Sequence, residues 1–109
     1  MRAAFLRIGA AWELQVDQAS RLLGLSEVEY ALWIETPALT PAILIRLSYL
    51  FGIYVDLTRL LPAPGRAARW VRQPNTAAVF AGRTALEYLL ERDVAQWAAV
   101  RNYLSGQFG

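Results

Sequence analysis

The chain of 109 residues has no cysteine and no histidine. Without cysteine there is no disulfide framework and no thiolate metal site, and the composition suits a reducing compartment. Without histidine, the commonest general base and the commonest metal ligand are both missing. A Ser-His-Asp triad cannot be assembled. Lysine is absent too, so all eleven basic residues are arginine. No phosphate-binding glycine loop and no metal-ligand spacing can be found. Glu87 and Glu91 lie one helical turn apart, and an exposed charged face explains them better than a catalytic carboxylate pair. We therefore expect no enzyme, no metal and no cofactor.

Long uncharged runs are missing as well. The most apolar stretch, residues 36–55, is broken by Arg46 and carries Pro37 and Pro41. A membrane-crossing helix needs about 20 nearly uncharged residues, so no such segment is expected. The start, Met1-Arg2-Ala3-Ala4-Phe5-Leu6-Arg7, has too short an apolar part for a signal peptide. A cytoplasmic protein is the expectation.

What the chain does contain is apolar surface. Hydrophobic residues make up 56% of it, against about 45–50% for an ordinary soluble domain. So short a chain has limited interior, and the excess points to a partner or a homodimer interface.

The periodicity is helical almost throughout, and an all-α fold follows. A first helix is expected from Arg2 to about Leu14, with Phe5, Ile8 and Trp12 on its inner face. A second is expected from a cap at Asp17 to Leu23, stopped by Gly24. Ser26 and Glu29 have capping-box spacing and open a third helix that ends before Pro37. Thr40-Pro41 starts a fourth, reaching about Leu61, with a possible interruption at Gly52. Pro62, Pro64 and Gly65 make the best internal boundary, dividing residues 1–61 from 62–109. Beyond it come a short helix at Trp70, a turn at Pro74-Asn75, a helix capped by Thr84, and a last helix capped by Asp93 that ends near Ser105.

Gln18-Ala19-Ser20-Arg21-Leu22-Leu23-Gly24-Leu25-Ser26 has the layout of a helix-turn-helix. Ala19 permits close helix approach and Gly24 the tight turn. The third helix nevertheless begins with Glu27 and Glu29 and holds no basic residue. Residues 1–55 carry four Arg against five acidic residues, whereas residues 56–109 carry seven against four. Phosphate contacts dominate DNA affinity, so the first half is poorly charged for DNA. Arg21, Ser26 and Tyr30 are its DNA-contact candidates. The cluster Arg59, Arg66, Arg69 and Arg72 is expected to be the solvated rim of an apolar surface, with phosphate contact as the alternative.

Two stretches together resemble the Xre/MbcA/ParS family of antitoxins that pair with RES-domain toxins. The first runs through Trp12-Glu13-Leu14, Leu22-Leu23-Gly24-Leu25-Ser26 and the segment Leu44 to Tyr54. The second includes Trp70, Pro74-Asn75, Phe80, Gly82-Arg83-Thr84, Leu86, Leu89, Val100, Tyr103-Leu104 and Gly106. Ala85 stands where the family usually has proline. The resemblance implies an Xre-like helix-turn-helix bundle over residues 1–61 and a small toxin-binding domain over 62–109, sharing or adjoining its core. It implies a RES-domain toxin as partner, acting on NAD by degrading it or by transferring ADP-ribose. The antitoxin would block the toxin's active-site cleft and autoregulate its operon by binding operator DNA, as a homodimer within the complex. Toxin-binding candidates are Trp70, Asn75, Phe80, Gly82, Arg83, Trp97, Arg101, Tyr103 and Phe108. The alternative is a stand-alone helix-turn-helix regulator whose C-terminal part dimerises.

Overall fold

Thr40 opens the helix around which the rest of the chain is arranged. Its hydroxyl accepts from the Ile43 N–H at 3.3 Å, and Pro41 takes the first helical position, where a missing N–H costs nothing. The structure, a computed structural model, describes residues 1–107. Among these there are seven α-helices, one 3₁₀ turn and no strand, so the fold is all-α. In order they are α1 (Arg2–Ala11), α2 (Val16–Leu22), α3 (Glu27–Glu35), α4 (Pro41–Leu60), α5 (Arg66–Val71), α6 (Ala85–Glu91), the 3₁₀ turn Val94–Gln96 and α7 (Ala98–Gly106).

The central helix, α4, is continuous through Gly52, where the sequence allowed a break. Its length and composition would permit it to cross a membrane. Here it is the core helix, burying Ile43, Leu47, Leu50, Ile53 and Leu57. It packs against α1, α5 and, most extensively, α7. One connected hydrophobic cluster results, joining Phe5, Trp12 and Leu22 to Phe80, Leu89, Trp97, Val100 and Leu104. Each fully buried Leu or Phe contributes about 1.5–3 kcal/mol relative to exposure. The residues on either side of Pro62 therefore depend on the same interior.

Helix ends explain the differences from the sequence reading. The first helix stops at Ala11, because Glu13 takes a left-handed φ of +55°. The second starts two residues earlier than a cap at Asp17 would allow, at Val16. There the Gln18 side chain accepts from the Gln15 N–H at 2.9 Å, and Asp17 falls in the first turn. Ser26 caps α3 as expected, accepting from the Glu29 N–H at 3.1 Å while Glu29 accepts from the Ser26 N–H at 2.8 Å. The last helix also shifts. Asp93 heads the 3₁₀ turn, where its N–H donates to the Gln96 side chain, and α7 begins only at Ala98.

Candidate functional site

Asn75 organises the turn between α5 and α6. Its side-chain oxygen accepts from the Ala77 N–H at 2.8 Å. Its own N–H donates to the Arg83 carbonyl at 3.0 Å, and its carbonyl accepts from the Gly82 N–H at 2.8 Å. The chain from Pro74 to Thr84 is thus pinched shut at its base. Closing it requires left-handed backbone at Ala81 (φ +52°) and Gly82 (φ +88°). Nothing crowds Gly82, so glycine serves there for conformation and not for close approach. Thr84 then caps α6, and Glu87 reaches back to the Thr84 N–H. That backbone bond, the Thr84 hydroxyl and nearby Arg83 together lower the Glu87 pKa. Arg83 is exposed and ion-paired with Glu91 across the α6 surface.

An aromatic group lies beneath this turn. Phe80 is fully buried, with its ring edge-on to Trp70 at 5.6 Å, to Tyr103 at 5.5 Å and to Tyr88 at 5.8 Å. Trp70 and Tyr103 stack at 6.4 Å and are only half-buried. Together with Leu57, Leu60, Leu61 and Gln107 they line a groove of about 300 Å³. This is the part of the expected toxin-binding set that reaches the surface as one apolar feature.

Trp97 is different. It is wholly buried, and its indole N–H donates to the Leu89 carbonyl at 3.1 Å. Phe80 and Trp97 thus build the module from inside, a role invisible to periodicity alone. Arg101 is also committed inward, donating to Asp56 of α4 at 2.8 Å. Phe108, another residue of the expected set, lies outside the described residues.

At the other end, α2 and α3 are joined by a tight turn in which Gly24 takes φ +73°. Tyr30, expected at a DNA groove, has its ring in the core, 6% exposed, parallel to Trp33 and edge-on to Phe5. Burial raises its pKa. Ser26 is occupied by its cap. Arg21 reaches away from α3 and donates to the Leu90 carbonyl at the end of α6.

That contact belongs to a pattern the sequence concealed. Four arginines donate to the carbonyl ends of helices other than their own. Arg2 reaches Ile34 on α3, and Arg46 reaches Arg21 and Leu22 on α2. Arg72 reaches Trp12 and Glu13 beyond α1, and Arg21 reaches α6. Helix C-termini leave carbonyls unpaired and carry partial negative charge, so a guanidinium suits them well. Arg72 is exposed, as expected for the rim, and it also ties the segment after α1 to the end of α5. Only a long-range contact map could have shown this.

Residues 56–109 match the family described as the antitoxin Xre/MbcA/ParS C-terminal toxin-binding domain. The match begins inside α4 at Asp56 and takes in the pinched turn, the aromatic group and α7. The chain is also 34% identical to the uncharacterized protein y4oB of Sinorhizobium fredii, over 97% of this chain and 82% of that protein. No solved structure matches it.

Proposed function

The chain belongs to the Xre/MbcA/ParS antitoxin family through its C-terminal toxin-binding domain, and from that premise we propose that it neutralises a RES-domain toxin. The toxin consumes NAD or transfers ADP-ribose from it, and the antitoxin covers the toxin's active-site cleft. The pair acts in the cytoplasm. Residues 1–61 form a helix-turn-helix half and 62–109 the toxin-binding half, built on one core.

One observation carries the reading: the stacked, half-buried Trp70–Tyr103 pair and its apolar groove lie within the matched segment. Aromatic side chains in concave apolar surroundings are favoured anchors at protein interfaces. The test is co-expression with the toxin encoded beside this gene. Tyr103→Ala is expected to abolish both growth rescue and co-purification while the thermal unfolding transition stays cooperative. Rescue undiminished in a folded Tyr103→Ala protein would overturn the assignment.

Operon repression is the second part of the reading, supported by the packed α2–α3 pair. The third helix supplies Glu27, Glu29 and Glu35 and no cation, and Ser26 and Arg21 are engaged with Glu29 and Leu90, so DNA contact would rest mainly on phosphate contacts from a homodimer. Binding to the upstream DNA should be weak and steeply salt-dependent. Affinity independent of salt would remove this part and leave neutralisation untouched.

A further inference from the structure

Besides its buried stripe, α4 carries a second seam that faces outward. Pro41, Leu44, Ser48, Phe51, Val55 and Thr58 follow one another at alternating steps of three and four, the spacing by which two helices interlock their side chains. Leu44 and Val55 on the seam, and Ile45 beside it, are 37%, 47% and 47% exposed, and Phe51 is half-buried. From Pro41 to Thr58 no side chain of α4 places a charge on this face. Arg46 is turned inward to the α2 carbonyls and Trp97, and Asp56 is buried against Arg101. At the edge of the seam Arg101 crosses Gly52 with its charge already paired.

The seam fits a copy of itself. A row of side chains at this spacing receives a helix with the same spacing, and a two-fold contact uses one patch on both copies. With two α4 helices antiparallel and the axis midway between Ser48 and Phe51, Phe51 of each copy lies over Ser48 of the other, and Leu44 lies against Val55. Large then meets small at the centre, as close packing requires. A parallel pair would set Phe51 on Phe51 and Ser48 on Ser48, and would bring the two exposed Arg59 side chains together. In the antiparallel pair they stand about 28 Å apart along the helices. The exposed apolar pair on α3, Val28 and Leu32, is a poorer self-contact, because Glu27, Glu29 and Glu35 share that helix and like charges in contact are costly. DNA finds no cation on the α4 seam before Arg59.

We propose that α4 pairs with α4 of a second copy of this chain, antiparallel across a two-fold axis, through Leu44, Ser48, Phe51 and Val55. The inference rests on the homodimer of the proposed function and gives that homodimer its surface. Leu57, which lines the Trp70–Tyr103 groove, is nine residues from Ser48 and so lies on the opposite side of the helix. The second copy and the toxin therefore bind at the same time. A single helix seam is small beside the roughly 800 Å² per partner of a standard interface, so the dimer is expected to dissociate on dilution.

The test is light-scattering mass measurement on the full chain over a dilution series from micromolar to millimolar. The wild type is expected to pass from one copy to two and to stop there. Val55→Glu, at an exposed position, is expected to stay monomeric with an unchanged circular dichroism spectrum and to keep its toxin in co-purification. Direction is read by cross-linking, since the chain has no cysteine of its own. Leu44→Cys with Val55→Cys in one chain should give disulfide-linked dimers under mild oxidation, and either substitution alone should not. Within one chain the two positions are about 16 Å apart along the helix, too far for a bridge. A wild type that is monomeric throughout would overturn the proposal, as would single variants that cross-link as readily as the double one. Loss of toxin capture in a folded Val55→Glu protein would assign the seam to the toxin and overturn it too. Failure of the wild type to capture toxin at all would instead strike the neutralisation reading and leave the mass measurement standing.

Discussion

Arg101 Nε donates to Asp56 Oδ2 at 2.8 Å, and the guanidinium crosses the surface of α4 over Gly52. A Cβ at Gly52 would overlap the Arg101 guanidinium. Glycine in mid-helix is usually a defect of about 0.5–1 kcal/mol relative to alanine. At this position it is the notch through which α7 reaches a buried carboxylate on α4.

Gly52→Ala is therefore expected to destabilise the protein, against the helix-propensity trend. Displacing Arg101 strands Asp56, which is 7% exposed. Loss of a hydrogen bond between charged groups costs about 1.5–3 kcal/mol, lessened here because the Arg101 side chain is 38% exposed. In an Arg101→Ala background the same Gly52→Ala change should become neutral or stabilising, by up to about 1 kcal/mol. Urea unfolding of the four proteins in this cycle checks the sign reversal.

Arg46 should not tolerate lysine. Its guanidinium donates to the Arg21 and Leu22 carbonyls and lies over the Trp97 ring, 5.4 Å from the centroid. Lysine carries a point charge and cannot bridge two carbonyls while lying flat on an indole. Arg46→Lys is expected to cost about 1 kcal/mol. A melting temperature unchanged from wild type would refute this use of the side chain.

The capping boxes predict an acid limit. Hydrogen bonds from Ser26 and Thr84 hold Glu29 and Glu87 below the ordinary Glu value of 4.5. A carboxylate with a depressed folded pKa adds stability above its unfolded pKa and loses it as pH falls through the folded value. Stability should accordingly decline below about pH 4.5. Replacing both Glu29 and Glu87 with Gln should flatten that decline in a denaturant series. Thr84→Ala should lower stability at neutral pH by about 1 kcal/mol.

Trp97 and Arg83 separate building from touching. Trp97→Ala removes a fully buried indole and should cost about 3–5 kcal/mol, with toxin capture lost through unfolding. Arg83→Ala breaks only an exposed ion pair, worth about 0–1 kcal/mol. Loss of toxin capture by a normally stable Arg83→Ala protein would place Arg83 in the interface. Retained capture would leave it as part of the turn.

Local signals were legible wherever a single helix end decides them. Ser26 with Glu29, Thr40 with Pro41, and Thr84 with Glu87 each announce a helix start from a few adjacent residues, and each forms one. Asp17 misled because the helix starts two residues earlier, where the Gln18 side chain accepts from the Gln15 N–H and Asp17 falls in the first turn. The toxin-binding stretch was legible as a signature. Its division into inner and outer residues was not, because Phe80, Trp97 and Trp70 look equally apolar in a list.

The sequence by itself determined the all-α class, most helix starts, and the imbalance between an acidic first half and an arginine-rich second. These follow from short-range hydrogen bonding and from charge, which need no neighbour distant in the chain. Tertiary structure alone decided what the arginines do. Arg2, Arg21, Arg46 and Arg72 find helix ends up to 69 residues away, and Arg101 finds Asp56 over the gap at Gly52. A guanidinium acts at the end of a long side chain, and only packing determines which unpaired carbonyl or carboxylate it reaches.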